Sequence, residues 1–345
     1  MRKIFLITEG GAGIGFGHLS RCYALFHALR EKGETPVFVI NDDPAALSYL
    51  TELGVGKVKT RPRPDALDGV EGLEGDIAIV DSYRLPLGAY REVAGSFKLL
   101  ISIDDENRLP YPPGFVVNGA LYARDLPYEK RESVTYLLGP SYFLMKPEFA
   151  NMPYPAIREE VKDILITVGG VDWRGLTERL IRVAGSVPGV TLHVLTTDGF
   201  ENLAAIHETA QDVEAEVRFY HNAKHVSGIM RRCDIALSAG GQTTYELAAC
   251  GLPAIGICAA ANQLRNLQAW EAAGFLLFAG WENDVHLEGN LKECLKRISV
   301  SKARERMSMA GRRVMDGRGA ARVAQVVLDY FGGETDLKAT GSSRP

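Results

Sequence analysis

Short apolar runs alternate with stretches of helical periodicity along almost the whole chain, the pattern of βαβ units that build a parallel sheet. In the first half, residues 3–8, 36–41, 77–81, 99–104 and 115–118 read as strands, and residues 18–32, 44–53 and 86–94 as helices between them. Periodicity stops over residues 145–157, where Pro147, Pro153 and Pro155 predict a linker, placed at 147–160. A second series follows, with strands at 163–168, 191–196, 216–220, 235–238, 253–257 and 275–278 and helices at 174–185, 200–210, 225–232, 243–250 and 263–273. The fold class expected is therefore α/β, with two doubly wound, Rossmann-like domains at residues 1–146 and 161–331 and a ligand cleft between them. One eight-stranded barrel fits less well, because the proline-rich break falls near the middle. A single final helix is expected over residues 303–331, and residues 332–345 read as a disordered tail.

Composition adds limits. The chain of 345 residues is 46% hydrophobic and 24% charged, enough to bury a sizeable core. Its 39 basic and 43 acidic residues give a net charge of −4, so no global field is available to hold nucleic acid or an anionic membrane. Phosphate, if bound, has to be bound locally. No apolar run reaches the ~18–20 residues that span a bilayer, and the opening apolar stretch breaks too early for a signal peptide, so a cytoplasmic protein is expected. Cys22, Cys233, Cys250, Cys258 and Cys294 lack metal-ligand spacing and read as buried thiols. Neither a metal nor a cofactor is expected; Asp81, Asp104 and Asp105, at strand ends, read as caps.

The chemistry gathers in glycine-rich turns between strands and helices. After the first strand, Gly10-Gly11-Ala12-Gly13-Ile14-Gly15-Phe16-Gly17 leads into His18, with Arg21 one turn later. Gly15 and Gly17 allow backbone N–H groups to approach a ligand, but the spacing is neither the dinucleotide fingerprint nor a Walker loop. His18 and Arg21 share a helix face and could point at one cleft; otherwise His18 bonds backbone and Arg21 is a surface cation. A second turn offers Gly240 and Gly241 with the side-chain donors Gln242, Thr243 and Thr244, and Glu246 placed to accept from ribose hydroxyls. The alternative there is a plainly capped helix. Asn262 and Gln263 follow the next strand, and Gly169-Gly170 opens the second domain as the first loop opens the first. Three such loops facing one cleft would hold a diphosphate, through their backbone amides and Arg21.

Together these residues resemble the nucleotide-sugar hydrolases of pseudaminic acid biosynthesis and the related spore-coat polysaccharide proteins, within the GT-B architecture. The resemblance runs through Ile14–His18 with Arg21, Val80-Asp81-Ser82-Tyr83, Ile103–Glu106, Val117-Asn118, Leu138–Tyr142, Val168-Gly169-Gly170, Ser238–Glu246 and Asn262-Gln263. It implies hydrolysis of UDP-2,4-diacetamido-2,4,6-trideoxy-β-L-altrose to UDP and free sugar with inversion, His18 as the catalytic residue and Glu246 as the ribose ligand. The chain departs from the pattern at Ser82, where a histidine often lies, and at Gln242, where a small residue is common. Both positions are expected to border the sugar or its phosphates, which leaves the sugar open.

The chemistry implied is simple. A nucleoside diphosphate leaves readily, so one base suffices where glycosidases use two carboxylates. His18 would be that base, Tyr83 would help place sugar or water, and the 240–244 loop would receive the departing UDP. Two rivals remain open: a GT-B glycosyltransferase, for which the basic last helix is the best sign, and a nucleotide-sugar binder without turnover.

Overall fold

The structure, a computed structural model, describes residues 2–11, 13–68, 72–172 and 174–332. It divides into two compact units, Met1–Pro147 with Gly317–Pro345, and Glu148–Asp316. Unit 1 carries seven strands: β1 (Ile4–Thr8), β2 (Val37–Asn41), β3 (Val58–Arg61), β4 (Gly75–Asp81), β5 (Phe97–Ile103), β6 (Gly114–Asn118) and β7 (Val134–Leu138). All pair in parallel in the order β3-β2-β1-β4-β5-β6-β7. Helices α1 (Gly17–Glu31), α2 (Pro44–Glu52) and α3 (Leu87–Ser96) complete its first part. The central strands are almost wholly apolar because both faces are covered; Ile4, Leu6, Ile77, Ile79 and Ile101 are 1% exposed or less. Register sets Thr8 of β1 beside Asp81 of β4, so these strands end level. The strand order reverses between them, which is where open α/β sheets bind ligands, beyond the carboxyl ends.

Unit 2 carries β8 (Asp163–Thr167), β9 (Thr191–Thr196), β10 (Glu216–His221), β11 (Ile235–Ala239), β12 (Ala254–Cys258) and β13 (Leu276–Trp281), parallel in the order β10-β9-β8-β11-β12-β13. Its helices are α4 (Leu176–Gly185), α5 (Leu203–Gln211), α6 (Val226–Met230), α7 (Thr243–Cys250), α8 (Leu264–Ala272), α9 (Leu287–Ile298) and α10 (Ser301–Val314). The reversal lies between β8 and β11, so the Gly169-Gly170 and Gly240-Gly241 turns flank it. A last helix, α11 (Gly319–Gly332), returns to unit 1.

The structure differs from the sequence expectation in three added elements and in the last helix. Strands β3 and β7 and helix α9 were not expected. The two strands are sheet edges, and β3, with Lys59 and Thr60 exposed, lacks the apolar run of a central strand. The helix buries Leu287, Leu291, Cys294, Leu295 and Ile298, a helical spacing interrupted in sequence by many charges. Residues 148–160, within the expected linker, group with unit 2. The single final helix is two, parted around Gly317, which adopts φ 72°, and its second half belongs to unit 1: Ala320, Val323, Ala324 and Val327 join the core that contains Leu25 and Leu29 of α1. Residues 333–345, expected to be disordered, lie outside the described residues.

The basic character of this C-terminal region has a structural use. Arg304, fully buried, donates to the carbonyls of Ile298, Ser299, Arg158 and Glu159. Arg312 donates to the carbonyls of Ala249 and Met152, and Arg322 to that of Ser141. Three of the seven basic residues between Ser301 and Phe331 thus cap carbonyls. Replacing Arg304 by Ala orphans buried carbonyls and is expected to cost unit 2 about 3 kcal/mol. Trp270 and Trp281 lie in unit 2, so urea unfolding followed by tryptophan fluorescence measures that loss. An unchanged midpoint would refute the clamp. Among the described residues no helix is long and apolar enough to cross a membrane.

Candidate active site

In unit 1 the glycine loop after β1 closes on itself: the Gly15 amide donates to the Gly11 carbonyl at 2.9 Å, and Gly11 donates back at 3.2 Å. Gly11 sits at φ 110°, and a Cβ there would lie 2.1 Å from the Asp43 carboxyl, so no other residue fits. The Gly15 amide, expected to face a ligand, is consumed inside the loop. The turn delivers Gly17 as the first residue of α1 and sets His18 and Arg21 over the end of β4.

There the side chains converge. His18 Nδ1 lies 2.7 Å from Asp81 Oδ1. Arg21 forks onto the same carboxylate, Nε to Oδ2 at 2.5 Å and Nη2 to Oδ1 at 2.7 Å, while its Nη1 donates to Asp105 Oδ2 at 2.6 Å. The Tyr83 hydroxyl donates to that same Asp105 oxygen, and the Tyr83 ring meets the His18 ring edge-on, with centroids 4.6 Å apart. Asp81 is 0% exposed, Arg21 5% and His18 8%, whereas Tyr83 is 47% exposed. The tyrosine is the part at the surface.

This geometry fixes proton positions. A nitrogen 2.7 Å from a carboxylate has to present a proton to it, so Nδ1–H donates to Asp81 and the lone pair of the neutral ring is on Nε2. Arg21 Nη2, 3.0 Å from Nδ1, is then a close cationic neighbour of that nitrogen and donates to Asp81 instead. Burial alone would raise the Asp81 carboxyl, but the charge of Arg21 and the bonds from His18 and Arg21 outweigh it and lower the group to about 2. Burial likewise opposes the Arg21 charge, and Asp105 and Asp81 overcome it, holding the guanidinium firmly protonated. Burial and the Asp105 charge push the Tyr83 phenol far up, so it stays a neutral donor to Asp105.

A stability consequence follows for Asp81. Its folded-state value lies below the ordinary ~3.9, so its contribution is fully present above about pH 4 and is lost as pH falls towards 2. The loss amounts to about 2 kcal/mol. Acid titration of unfolding midpoints should show this part of the decline removed in an Asp81→Asn variant.

Two sequence expectations are corrected here. Asp81 and Asp105 are not merely strand-end caps; they are the acceptors that organise the site. Ser82 does not border an open site either, being 1% exposed, with its Oγ donating to Glu9 Oε2 at 2.5 Å and accepting the Arg84 and Leu85 amides. Glu9, also buried, accepts the Tyr83 amide at 3.1 Å and lies 3.7 Å from the buried Arg61 guanidinium. Glu9 and Arg61 were not singled out from sequence; the available signal was a carboxylate directly after the apolar run of β1.

In unit 2, several expected ligands hold the turn rather than face outward. The Gly240 amide is 3.1 Å from both the Ile257 carbonyl and Gln263 Oε1, and Gln263 Oε1 also accepts from Ala259 at 3.0 Å. A Cβ at Gly240 would strike Leu267 at 2.6 Å, which accounts for this glycine by packing alone. Thr244 is buried, its hydroxyl donating to the Gly241 carbonyl at 2.8 Å and accepting from Asn266, a residue sequence reading missed. The Gly240 amide, Thr244 and the Gln263 carbonyl group are therefore structural. Among the described residues, the amides of Gly241, Gln242 and Thr243 have no backbone acceptor outside the regular elements, as first-turn groups require. Gln242 and Asn262 are exposed, Gly241, Thr243 and Glu246 half-buried, and Glu246 sits in the first turn of α7. Gly169, at φ 100°, and Gly170 are exposed on the loop after β8.

No family model matches the chain. Curated relatives do. The spore coat polysaccharide biosynthesis protein SpsG of Bacillus subtilis is 21% identical over 94% of this chain and 98% of its own length. The pseudaminic acid cytidylyltransferase and UDP-2,4-diacetamido-2,4,6-trideoxy-β-L-altropyranose hydrolase of Helicobacter pylori is 25% identical over 75% of the chain but only 45% of its own length. An uncharacterized protein of Methanocaldococcus jannaschii is 22% identical over 73% of the chain, and again the match spans only 55% of that relative. Among solved structures, MurG of Acinetobacter baumannii superposes with a TM-score of 0.69 at 12% identity, covering 95% of this chain and 99% of its own. The spinosyn rhamnosyltransferase SpnG, solved with thymidine diphosphate, gives 0.62 at 15% identity over 94% and 99%. At such identities the structures speak for fold alone. The chain is thus a two-unit α/β protein of the GT-B fold, with homologues named for spore-coat polysaccharide and pseudaminic acid biosynthesis.

Proposed function

We propose that this protein is a hydrolase of a UDP-activated amino sugar, releasing UDP and the free sugar with inversion. The observation that carries the reading is the His18–Asp81 pair at 2.7 Å: with Nδ1 directed at a buried carboxylate, Nε2 is the ring nitrogen left to act as a base. Water loses a proton to His18 Nε2 as its oxygen bonds to the anomeric carbon. The bond from that carbon to the diphosphate oxygen breaks, and its electron pair leaves with UDP. Tyr83, the exposed member, is the group placed to touch sugar or water. In unit 2 the amides of Gly241, Gln242 and Thr243 receive the diphosphate charge, Gly169-Gly170 permits close approach and Glu246 accepts from the ribose. The names of the relatives support a diacetamido-trideoxy-hexose as the sugar and surface polysaccharide biosynthesis as the setting.

The fold is shared with glycosyltransferases, which keeps a second reading alive: the same base could deprotonate a sugar hydroxyl. The basic C-terminal region favours it less than its sequence suggested, since Arg304, Arg312 and Arg322 serve carbonyls of the fold. Incubation with a panel of UDP-amino sugars and no acceptor, followed by NMR, separates the two. Release of UDP with the inverted free sugar as first product is expected. A UDP-sugar that stays intact until a saccharide acceptor is added would replace the hydrolase with the transferase.

A further inference from the structure

We infer that Arg21 serves His18 and not the substrate: it is a positioning residue that balances Asp81, so that the carboxylate orients the imidazole without drawing a second proton onto it. This deepens the hydrolase reading and rests on it, and it departs from the sequence expectation that Arg21 binds the diphosphate.

The geometry leaves Arg21 little to offer a ligand. Each of its three guanidinium nitrogens already donates to a carboxylate, two to Asp81 and one to Asp105, and the residue is 5% exposed. A phosphate would have to displace a bidentate carboxylate that is itself buried and has no other cation among its described partners.

The same geometry gives it a task. A buried carboxylate 2.7 Å from an imidazole favours the doubly protonated ring, which is useless as a base. A guanidinium 3.0 Å from the same Nδ1 opposes that charge and takes up the carboxylate's own. The other charged or titratable groups facing His18 do not substitute for it. Tyr83 is a neutral phenol, Cys22 lies 3.9 Å from Asp81 with its thiol raised by burial, Asp105 is paired with Arg21, and Glu9 faces Ser82, Tyr83 and Arg61. Asp104 is saturated by Tyr111, Tyr128 and the Asn107 and Arg108 amides. The lone cation in contact with the His18–Asp81 pair, among the described residues, is Arg21.

The test compares Arg21→Gln with the charge-balanced double variant Arg21→Gln/Asp81→Asn, measuring kcat/KM against pH, UDP affinity, and the ¹⁵N shifts of the His18 ring in the resting protein. For Arg21→Gln the acid limb of the pH profile is expected to move up by at least one unit. Turnover at pH 7 then falls by at least about threefold and recovers in alkali, the doubly protonated fraction of the ring at pH 7 exceeds that of the parent, and UDP affinity stays within about twofold. The double variant, which remains testable if Arg21→Gln fails to fold, should keep UDP affinity and lose turnover evenly across pH. A tenfold loss of UDP affinity in either variant would make Arg21 a phosphate ligand and overturn the inference. An unmoved acid limb and an unchanged ring in Arg21→Gln would overturn it as well. If no UDP-sugar is turned over by the parent protein, the hydrolase reading fails on its own, while the ring shifts still decide the role of Arg21.

Discussion

Replacing His18 by Asn is expected to lower kcat on the UDP-sugar by roughly 10²–10⁴, the usual contribution of a positioned base, while UDP affinity is unchanged. Asparagine is the informative choice. Its amide N–H can still donate to Asp81, so the buried carboxylate keeps a partner and Arg21 keeps its place. What disappears is the second ring nitrogen and its lone pair. The UDP ligands proposed in unit 2 are untouched, so calorimetric titration with UDP should give the parental dissociation constant. Turnover within a few-fold of the parent would remove His18 from the mechanism.

Asp81→Asn should reach an effect of similar size, about 10²–10⁴ in kcat, by a different route. An amide can present its N–H to Nδ1, and the ring then carries its proton on Nε2, the side meant to accept one. Because no atom of the base is removed, KM should change little and imidazole ¹⁵N shifts should report the opposite tautomer. The variant also leaves Arg21 with a neutral partner in a site that is 0% exposed at Asp81, so its fold is to be checked by circular dichroism. A normal kcat with a flipped tautomer would mean that Nε2 is not the proton acceptor.

The fold was legible wherever burial on both faces forces apolar runs, as in β1, β4 and β11, and wherever glycine turns mark strand-to-helix junctions. It was illegible at the sheet edge β3, where the exposed Lys59 and Thr60 interrupt any apolar run, and it was missed at the other edge, β7, where Val134–Leu138 is a short run with Thr135 within it. It also failed at the last helix, because periodicity says that a segment is helical and not which core receives it. At the site, sequence spacing brought His18 and Arg21 together, since three residues make nearly one turn. Their acceptors Asp81 and Asp105 come from other strands, and only the strand order β1-β4-β5 makes them neighbours. Composition could not distinguish Thr243, half-buried in the first turn of α7, from Thr244, buried one position later and bonded to its own turn. Adjacent residues on a helix point about 100° apart, and one degree of burial separates a possible ligand from a structural pin.

The return of α11 to unit 1 bears on how the protein is made. Ala320, Val323, Ala324 and Val327 belong to the same core as Ile4, Leu6 and Leu25, so that core is missing a wall until α11 has been synthesised. The residues of unit 2 form one uninterrupted segment, Glu148–Asp316, and all of them are synthesised earlier. Domains usually complete themselves in the order in which they are translated. Here unit 1 begins before unit 2 and closes after it, so the unit that houses His18 keeps an open apolar face throughout the synthesis of unit 2.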